Sequence, residues 1–313
     1  MRSAVFQGRT GRAAVTGVAA AAALSLLALA APAQAGPAGP AGGQSAEARA
    51  QAAEPRKNPG ARIIGGGAVP NDKYPFMAAL LSKGKGSAAG RNFCGGSLVD
   101  AFTIMTAAHC VAGADPKGIQ VAVGRTVLSN SRQGQIRNVE AITVHPRYAK
   151  NPAYDLAFLH LDFAKPVQGI VPVKLPTVGT DALIKPGALA TVTGWGATDT
   201  DLPETTDRLR EVKVPILSHA ECEAASEPGP YTSGIDLCAG VEGKDSCWGD
   251  SGGPLFRTIK NRETPIQIGV VSRGDGCAAQ GGPGIYTSLS SAKLWKTLHE
   301  SPAGKKIAKR LGR

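Results

Sequence analysis

Three short strings in this chain hold side chains that together could do nucleophilic catalysis. Ser251 lies in the glycine-rich turn Gly249-Asp250-Ser251-Gly252-Gly253-Pro254. His109 lies in Thr106-Ala107-Ala108-His109-Cys110, where small neighbours allow close packing beside a cysteine. Asp155 opens the apolar run Asp155-Leu156-Ala157-Phe158-Leu159. A serine hydroxyl is a poor nucleophile at neutral pH and needs a base within hydrogen-bond reach. Imidazole titrates near neutrality and can be that base. Its other nitrogen then needs an acceptor that fixes the tautomer and steadies the imidazolium, which a carboxylate supplies. The glycines around Ser251 let the main chain bend and bring N–H groups close to a substrate. Each string alone has an ordinary structural reading: a packed histidine, a turn aspartate, a turn serine.

Short apolar runs surround these strings. Pro75–Leu81, Gly96–Thr106, Ile119–Gly124, Val139–His145, Asp155–Leu161, Leu189–Trp195, Arg210–Ile216, Pro254–Thr258 and Gln267–Ser272 are rich in Val, Ile, Leu and Thr. Gly, Pro, Asn and Asp separate them, which is the pattern of many strands joined by turns, as in barrels or sandwiches. One helix is expected over Ser290–His299, with Leu294, Trp295 and Leu298 on one face and Ser290 as the cap. Gly and Pro make up 62 of 313 residues, loop-rich but below the share of a disordered or collagen-like chain. With 42% hydrophobic residues there is enough apolar surface for a core.

The N-terminus differs from the rest. Arg2, Arg9 and Arg12 precede an Ala/Leu/Val run that ends at Ala33-Gln34-Ala35, so residues 1–35 read as a secretory signal peptide. Residues 36–62 are rich in Gly, Ala, Pro and Gln without apolar period and read as a prosegment. The formal charge of +11 falls to +6 when residues 1–62, with seven basic and two acidic side chains, are set aside. That balance is mild, and no basic stretch interleaved with aromatics marks a nucleic-acid binder. No later stretch is apolar enough to span a bilayer. Cys94, Cys110, Cys222, Cys238, Cys247 and Cys277 are even in number and lack a C-x-x-C pair. Disulfides are therefore expected, a zinc cluster is not, and spacing alone does not choose the pairing. His145 is expected in a surface turn, His160 facing solvent, and His219 and His299 without ligand partners. Residues 125–138 carry Arg125, Arg132 and Arg137 but no carboxylate, so no calcium site is expected there.

Taken together, in the order His109, Asp155, Ser251, the strings resemble those of the trypsin/chymotrypsin serine endopeptidase family, over Ile63 to about His299. The resemblance implies an all-β fold of two packed six-stranded antiparallel barrels with a C-terminal helix, occupying residues 63–300. It implies His109 as base, Asp155 as its orienter, Ser251 as nucleophile, and the N–H groups of Gly249 and Ser251 as oxyanion hole. It pairs Cys94 with Cys110, Cys222 with Cys238 and Cys247 with Cys277. Polypeptides with Arg or Lys at the cleavage site are the implied substrates and proteinaceous inhibitors the implied partners. No cofactor, metal, nucleic acid or membrane span is expected, and the chain is expected to be a secreted monomer. The alternative is a secreted, catalytically silent binding protein on the same fold, whose mark would be a replaced triad residue.

Within Lys244-Asp245-Ser246-Cys247, the resemblance puts Asp245 at the floor of the primary pocket, with Ser246 beside it and Gly274 and Gly284 as its small walls. A carboxylate at the end of an open slot favours Arg or Lys. Arg62-Ile63-Ile64-Gly65-Gly66 resembles a zymogen activation site, where cleavage after Arg62 frees the Ile63 ammonium to pair with Asp250. Ser272-Arg273-Gly274 departs from the family, which has Trp at the middle position. The main chain of Ser272 and Gly274 can still pair with an extended substrate. Arg273 is expected to weaken apolar selection upstream of the cut and to favour Asp or Glu there, unless it folds back on Asp275. Residues 301–313 form a basic tail expected to be solvated, or else to attach to an anionic surface.

Overall fold

The computed structural model describes residues 66–197, 205–225, 231–241, 243, 246, 249–262, 264–274 and 282–313. Signal peptide, prosegment, Arg62 and Ile63 lie outside these, as do Asp245, Cys247, Asp275 and Cys277. After the short strand β1 (Gly67–Ala68), six strands close the first barrel: β2 (Met77–Ser82), β3 (Asn92–Asp100), β4 (Thr103–Thr106), β5 (Ile119–Val123), β6 (Gln135–Val144) and β7 (Ala157–Leu161). Their antiparallel order is β2-β3-β4-β7-β6-β5. Met77 through Leu81 are all fully buried: alternate side chains fill the interior of the small closed barrel and those between are covered from outside, with Thr193 Oγ1 of the second half donating to Met77 Sδ at 3.0 Å. The run expected as one strand, Gly96–Thr106, is a hairpin. Asp100 Oδ1 accepts from Phe102 N at 2.8 Å and turns the chain between β3 and β4.

The second half contains β8 (Leu189–Gly194), β9 (Arg210–Pro215), β10 (Asp236–Ala239), β11 (Pro254–Arg257), β12 (Ile266–Arg273) and β13 (Gly284–Ser288). With β1 they form one seven-stranded sheet, β1-β9-β8-β11-β12-β13-β10. An isolated bridge from Ile216 to Ala239 joins the β9 and β10 ends, so the six later strands curl back on themselves. The fold is the expected mostly-β one. Tyr74 and Phe76 of the first half meet Phe256 edge-on, at 4.9 and 5.5 Å between ring centroids. Fully buried Gln267 accepts from Ser97 Oγ at 2.5 Å across the same seam.

Helices are few: α1 (Ala88–Arg91), α2 (Ala108–Val111), α3 (His219–Ala224), α4 (Ala292–Leu298) and α5 (Pro302–Arg310). In α4 the expected face, Leu294, Trp295 and Leu298, is buried. The cap is Ser291 and not Ser290: Ser291 Oγ accepts from Leu294 N at 3.0 Å. The basic tail is not a solvated end. Ser301 caps α5 by accepting from Gly304 N at 3.0 Å, and Pro302 opens the helix. Ile307 and Ala308 are buried in the same core as the first barrel. Arg310 donates to Thr103 Oγ1 at 3.2 Å and lies over the Phe163 ring, while Arg313 lies over Trp295. Lys305, Lys306 and Lys309 face solvent. Reading the tail by charge alone overlooks the two apolar residues that dock it.

Candidate active site

His109 sits in the single turn α2, which Ala107 and Ala108, both fully buried, press onto the first barrel. Asp155 lies two residues before β7 and is 3% exposed. Its carboxylate takes hold of His109 twice. Oδ1 accepts from the main-chain N–H at 2.8 Å, and Oδ2 accepts from Nδ1–H at 2.7 Å. With the Nδ1 proton committed, Nε2 of the neutral ring is left as the acceptor. The second half supplies two further bonds to the aspartate. Ser272 Oγ donates to Oδ2 at 2.7 Å and Thr287 Oγ1 donates to the Asp155 carbonyl at 3.0 Å. Thus β12 and β13 hold an aspartate that belongs, by chain, to the first barrel.

Ser251 lies in the turn between Gly249 and β11. Its carbonyl accepts from Gly95 N at 2.7 Å, and Gly252 N donates to Val271 O at 2.9 Å. The Cys94–Cys110 disulfide packs under both partners: Cys110 Sγ is 3.6 Å from His109 Nε2 and 3.7 Å from Ser251 O. The hydroxyl of Ser251 is not hydrogen-bonded to Nε2 in this structure. Cys94, His109 and Cys110 offer ligand atoms within 4.8 Å of one another. Both sulfurs are spent in the disulfide, which removes the thiolates a metal would need. Cys222–Cys238 also forms, and Cys247 and Cys277 lie outside the described residues.

Gly249 has φ +92°, a left-handed conformation that side-chain-bearing residues rarely adopt, so the turn before Ser251 requires glycine. Asp250 is fully buried and accepts from Gly196 N at 2.9 Å through Oδ1. A Cβ on Gly196 would fall 2.6 Å from the carboxylate, so the missing side chain is what admits Asp250. In the pocket region Ser246 is buried, with the Tyr286 hydroxyl 3.5 Å from its Oγ. Gly274 follows β12 and Gly284 opens β13, on strands paired side by side.

Arg273 is where the structure departs most from expectation. Its guanidinium pairs with Asp236, whose side chain is fully buried, and NH1 donates to Ser272 Oγ at 3.3 Å. Thr232 N adds a bond to the same Asp236 oxygen at 2.8 Å. Burial raises the Asp236 pKa, against the pull of Arg273 and the Thr232 N–H. Sequence reasoning missed Asp236 because the partners are 37 residues apart. The available signal was an acid inside the apolar run Ile235-Asp236-Leu237-Cys238.

Other histidines have structural partners. His145 is buried and not in a surface turn: Nε2–H donates to Leu294 O at 3.0 Å, Nδ1 accepts from Arg147 N at 3.2 Å, and the ring stacks on Tyr154. Burial lowers its pKa. His160 bonds Thr143 Oγ1 at 2.8 Å and does not simply face solvent; burial, then Arg310, lowers its pKa. His219 bonds the Tyr231 hydroxyl, and His299 is exposed at the end of α4. In the loop expected to lack calcium, Arg125 is itself buried and donates to Leu128 O and Gln133 O at 2.7 and 3.0 Å.

Comparison with known proteins shows the family. The family model Trypsin matches residues 63–296. Trypsin 5G1 of Aedes aegypti is 37% identical over 238 residues, covering 75% of this chain and 83% of that protein. A trypsin of Saccharopolyspora erythraea is 37% identical over 232 residues, covering 73% of this chain and 94% of that protein. A tryptase of Mus musculus is 36% identical over 246 residues, covering 74% and 86%. The match of the family model ends before α5 begins.

Proposed function

Because the chain belongs to the trypsin family and is a serine endopeptidase, we propose that it is a secreted zymogen that, once activated, cleaves after Arg or Lys with His109, Asp155 and Ser251 as its catalytic triad. The observation that carries this reading is the double grip of Asp155 on His109, through Nδ1 and the main-chain N–H. With Nδ1 so fixed, Nε2 takes the Ser251 proton as Oγ attacks the scissile carbonyl. The tetrahedral oxyanion is met by the N–H groups of Gly249 and Ser251, where one donor is worth roughly 3–4 kcal/mol. Protonated His109 then gives its proton to the leaving amine. Water, deprotonated by the same nitrogen, releases the acyl group from Ser251. The Ser251–Nε2 bond closes when substrate fills the cleft, as catalytic hydrogen bonds in free enzymes are often long.

Specificity rests on Asp245, with Ser246, Gly274 and Gly284 as its surroundings, and cleavage would follow a basic residue held by a charge-assisted hydrogen bond. Activation would follow cleavage after Arg62. The freed Ile63 ammonium would pair with Asp250 in the glycine cradle, and the reading is supported by how completely that carboxylate is buried. Among the described residues no helix is long and apolar enough to cross a membrane. Secretion rests on the N-terminal signal pattern.

A fluorophosphonate label read by mass spectrometry, followed by a peptide-library cleavage profile, tests the proposal. Label on Ser251 and cuts after Arg and Lys are expected, with both lost in Ser251→Ala. An Arg62→Gln chain should stay full-length and nearly inactive. Labelling elsewhere, or cuts after apolar residues, would overturn the assignment.

A further inference from the structure

The Asp236–Arg273 pair lies two hydrogen bonds from the proposed triad, with Ser272 between them, and its chemistry bears on what the cleft accepts. The Arg273 side chain is 26% exposed and that of Asp236 is fully buried. From Asp236 the contacts run through Arg273 NH1 to Ser272 Oγ and on to Asp155 Oδ2. Ser272 therefore accepts from the guanidinium while donating to the carboxylate that orients His109. A guanidinium standing alone at this rim would draw acidic side chains of a bound peptide. One with its counter-charge in hydrogen-bond contact presents little net charge, yet keeps its planar faces for packing. The other oxygen of Asp236, Oδ1, is buried with no hydrogen-bond donor among the described residues. Arg273 and the Thr232 N–H therefore carry the compensation of that buried charge. Removing one partner of such a pair leaves the other uncompensated, which makes the arrangement self-enforcing.

We propose that Asp236 is a positioning residue that makes Arg273 a neutral specificity determinant, so that the cleft upstream of the cut does not select acidic residues despite the arginine in its wall. The proposal rests on the protease reading above. It revises the expectation that residue 273 attracts Asp or Glu.

The test uses matched peptide pairs cleaved after Arg, with Glu or Gln two, three or four positions upstream, on the activated full chain. Wild type should give a Glu-to-Gln ratio of kcat/KM near one at every position. Asp236→Asn should raise that ratio by about 2- to 5-fold at low salt. The gain should fade at about 0.5 M salt, since exposed charges are screened. Adding Arg273→Gln to Asp236→Asn should return the ratio to near one. A pair that is merely structural would change stability and leave all of these ratios alone. The proposal fails if wild type already favours Glu several-fold, a result that needs no variant, or if Asp236→Asn leaves the ratio unmoved. Absence of any cleavage after Arg by wild type counts instead against the protease reading.

Discussion

Replacing Ile307 by alanine, in a chain already silenced by Ser251→Ala so that it cannot digest itself, measures what α5 contributes to the domain. Ile307 is 1% exposed and lies in the core shared with Trp295, Leu298 and the first barrel. Truncating a buried isoleucine to alanine costs about 2–5 kcal/mol, the loss of transfer energy plus the cavity left behind. A domain of this size loses roughly 2–4 °C of Tm per kcal/mol. The expected fall is therefore about 4–20 °C, at the lower end if the helix detaches as a unit and caps the cost at its own docking energy. Scanning calorimetry gives Tm, and Trp295 fluorescence follows the helix locally, because Arg313 covers that ring at 5.4 Å. Lys306→Ala, exposed on the same helix, serves as control and should move stability by no more than about 0.5 kcal/mol. If Ile307→Ala melts with its parent, and so does a chain cut before Ser301, then α5 is a passenger and the packing argument is wrong.

Asp155→Asn should lower kcat by about 10⁴-fold, since the amide cannot hold the same His109 tautomer; a loss under tenfold, measured with an Arg ester, would rule out its proposed role. Gly196→Ala should fold yet label poorly with fluorophosphonate, because its Cβ displaces Asp250; normal labelling would show that the cradle is not needed. His145 and His160 both have depressed pKa values in the fold. Their contribution is thus present above their ordinary value of about 6.5 and is lost as pH falls below it, so Tm of the Ser251→Ala chain should drop between about pH 7 and 5. A flat profile there, or one that His145→Gln leaves unchanged, would contradict this. Adding calcium or a chelator should leave Tm unchanged, since the Arg125 guanidinium already binds the loop carbonyls.

The core strands were legible because their apolar runs are short, β-branched and bounded by turn residues. Strands β10 and β13 were not, since Asp236–Ala239 and Gly284–Ser288 are four- and five-residue segments beside glycine-rich stretches. The chemistry proposed for His109, Asp155 and Ser251 rests on residue type, but what steadies Asp155 could not be read that way. Ser272 and Thr287 are 117 and 132 residues away, and only folding brings their hydroxyls to it. Long-range pairing also hid the partner of Arg273 and the buried contacts of His145. Helix α5 shows the opposite failure: five positive charges drew attention from Gly304, Ile307, Ala308 and Leu311, whose i, i+3, i+4, i+7 spacing fits the inner side of a helix.

The way Asp155 is held has a consequence for the life of the chain before it is complete. The half that leaves the ribosome first carries both histidine and aspartate, yet lacks Ser251, the proposed nucleophile, and the two hydroxyls that anchor the acid. On the proposed mechanism a nascent first barrel thus has no nucleophile, even if it folds on its own. The hold on Asp155 is completed only when β12 and β13 seat, a step of folding that comes before, and is separate from, the proposed cleavage after Arg62.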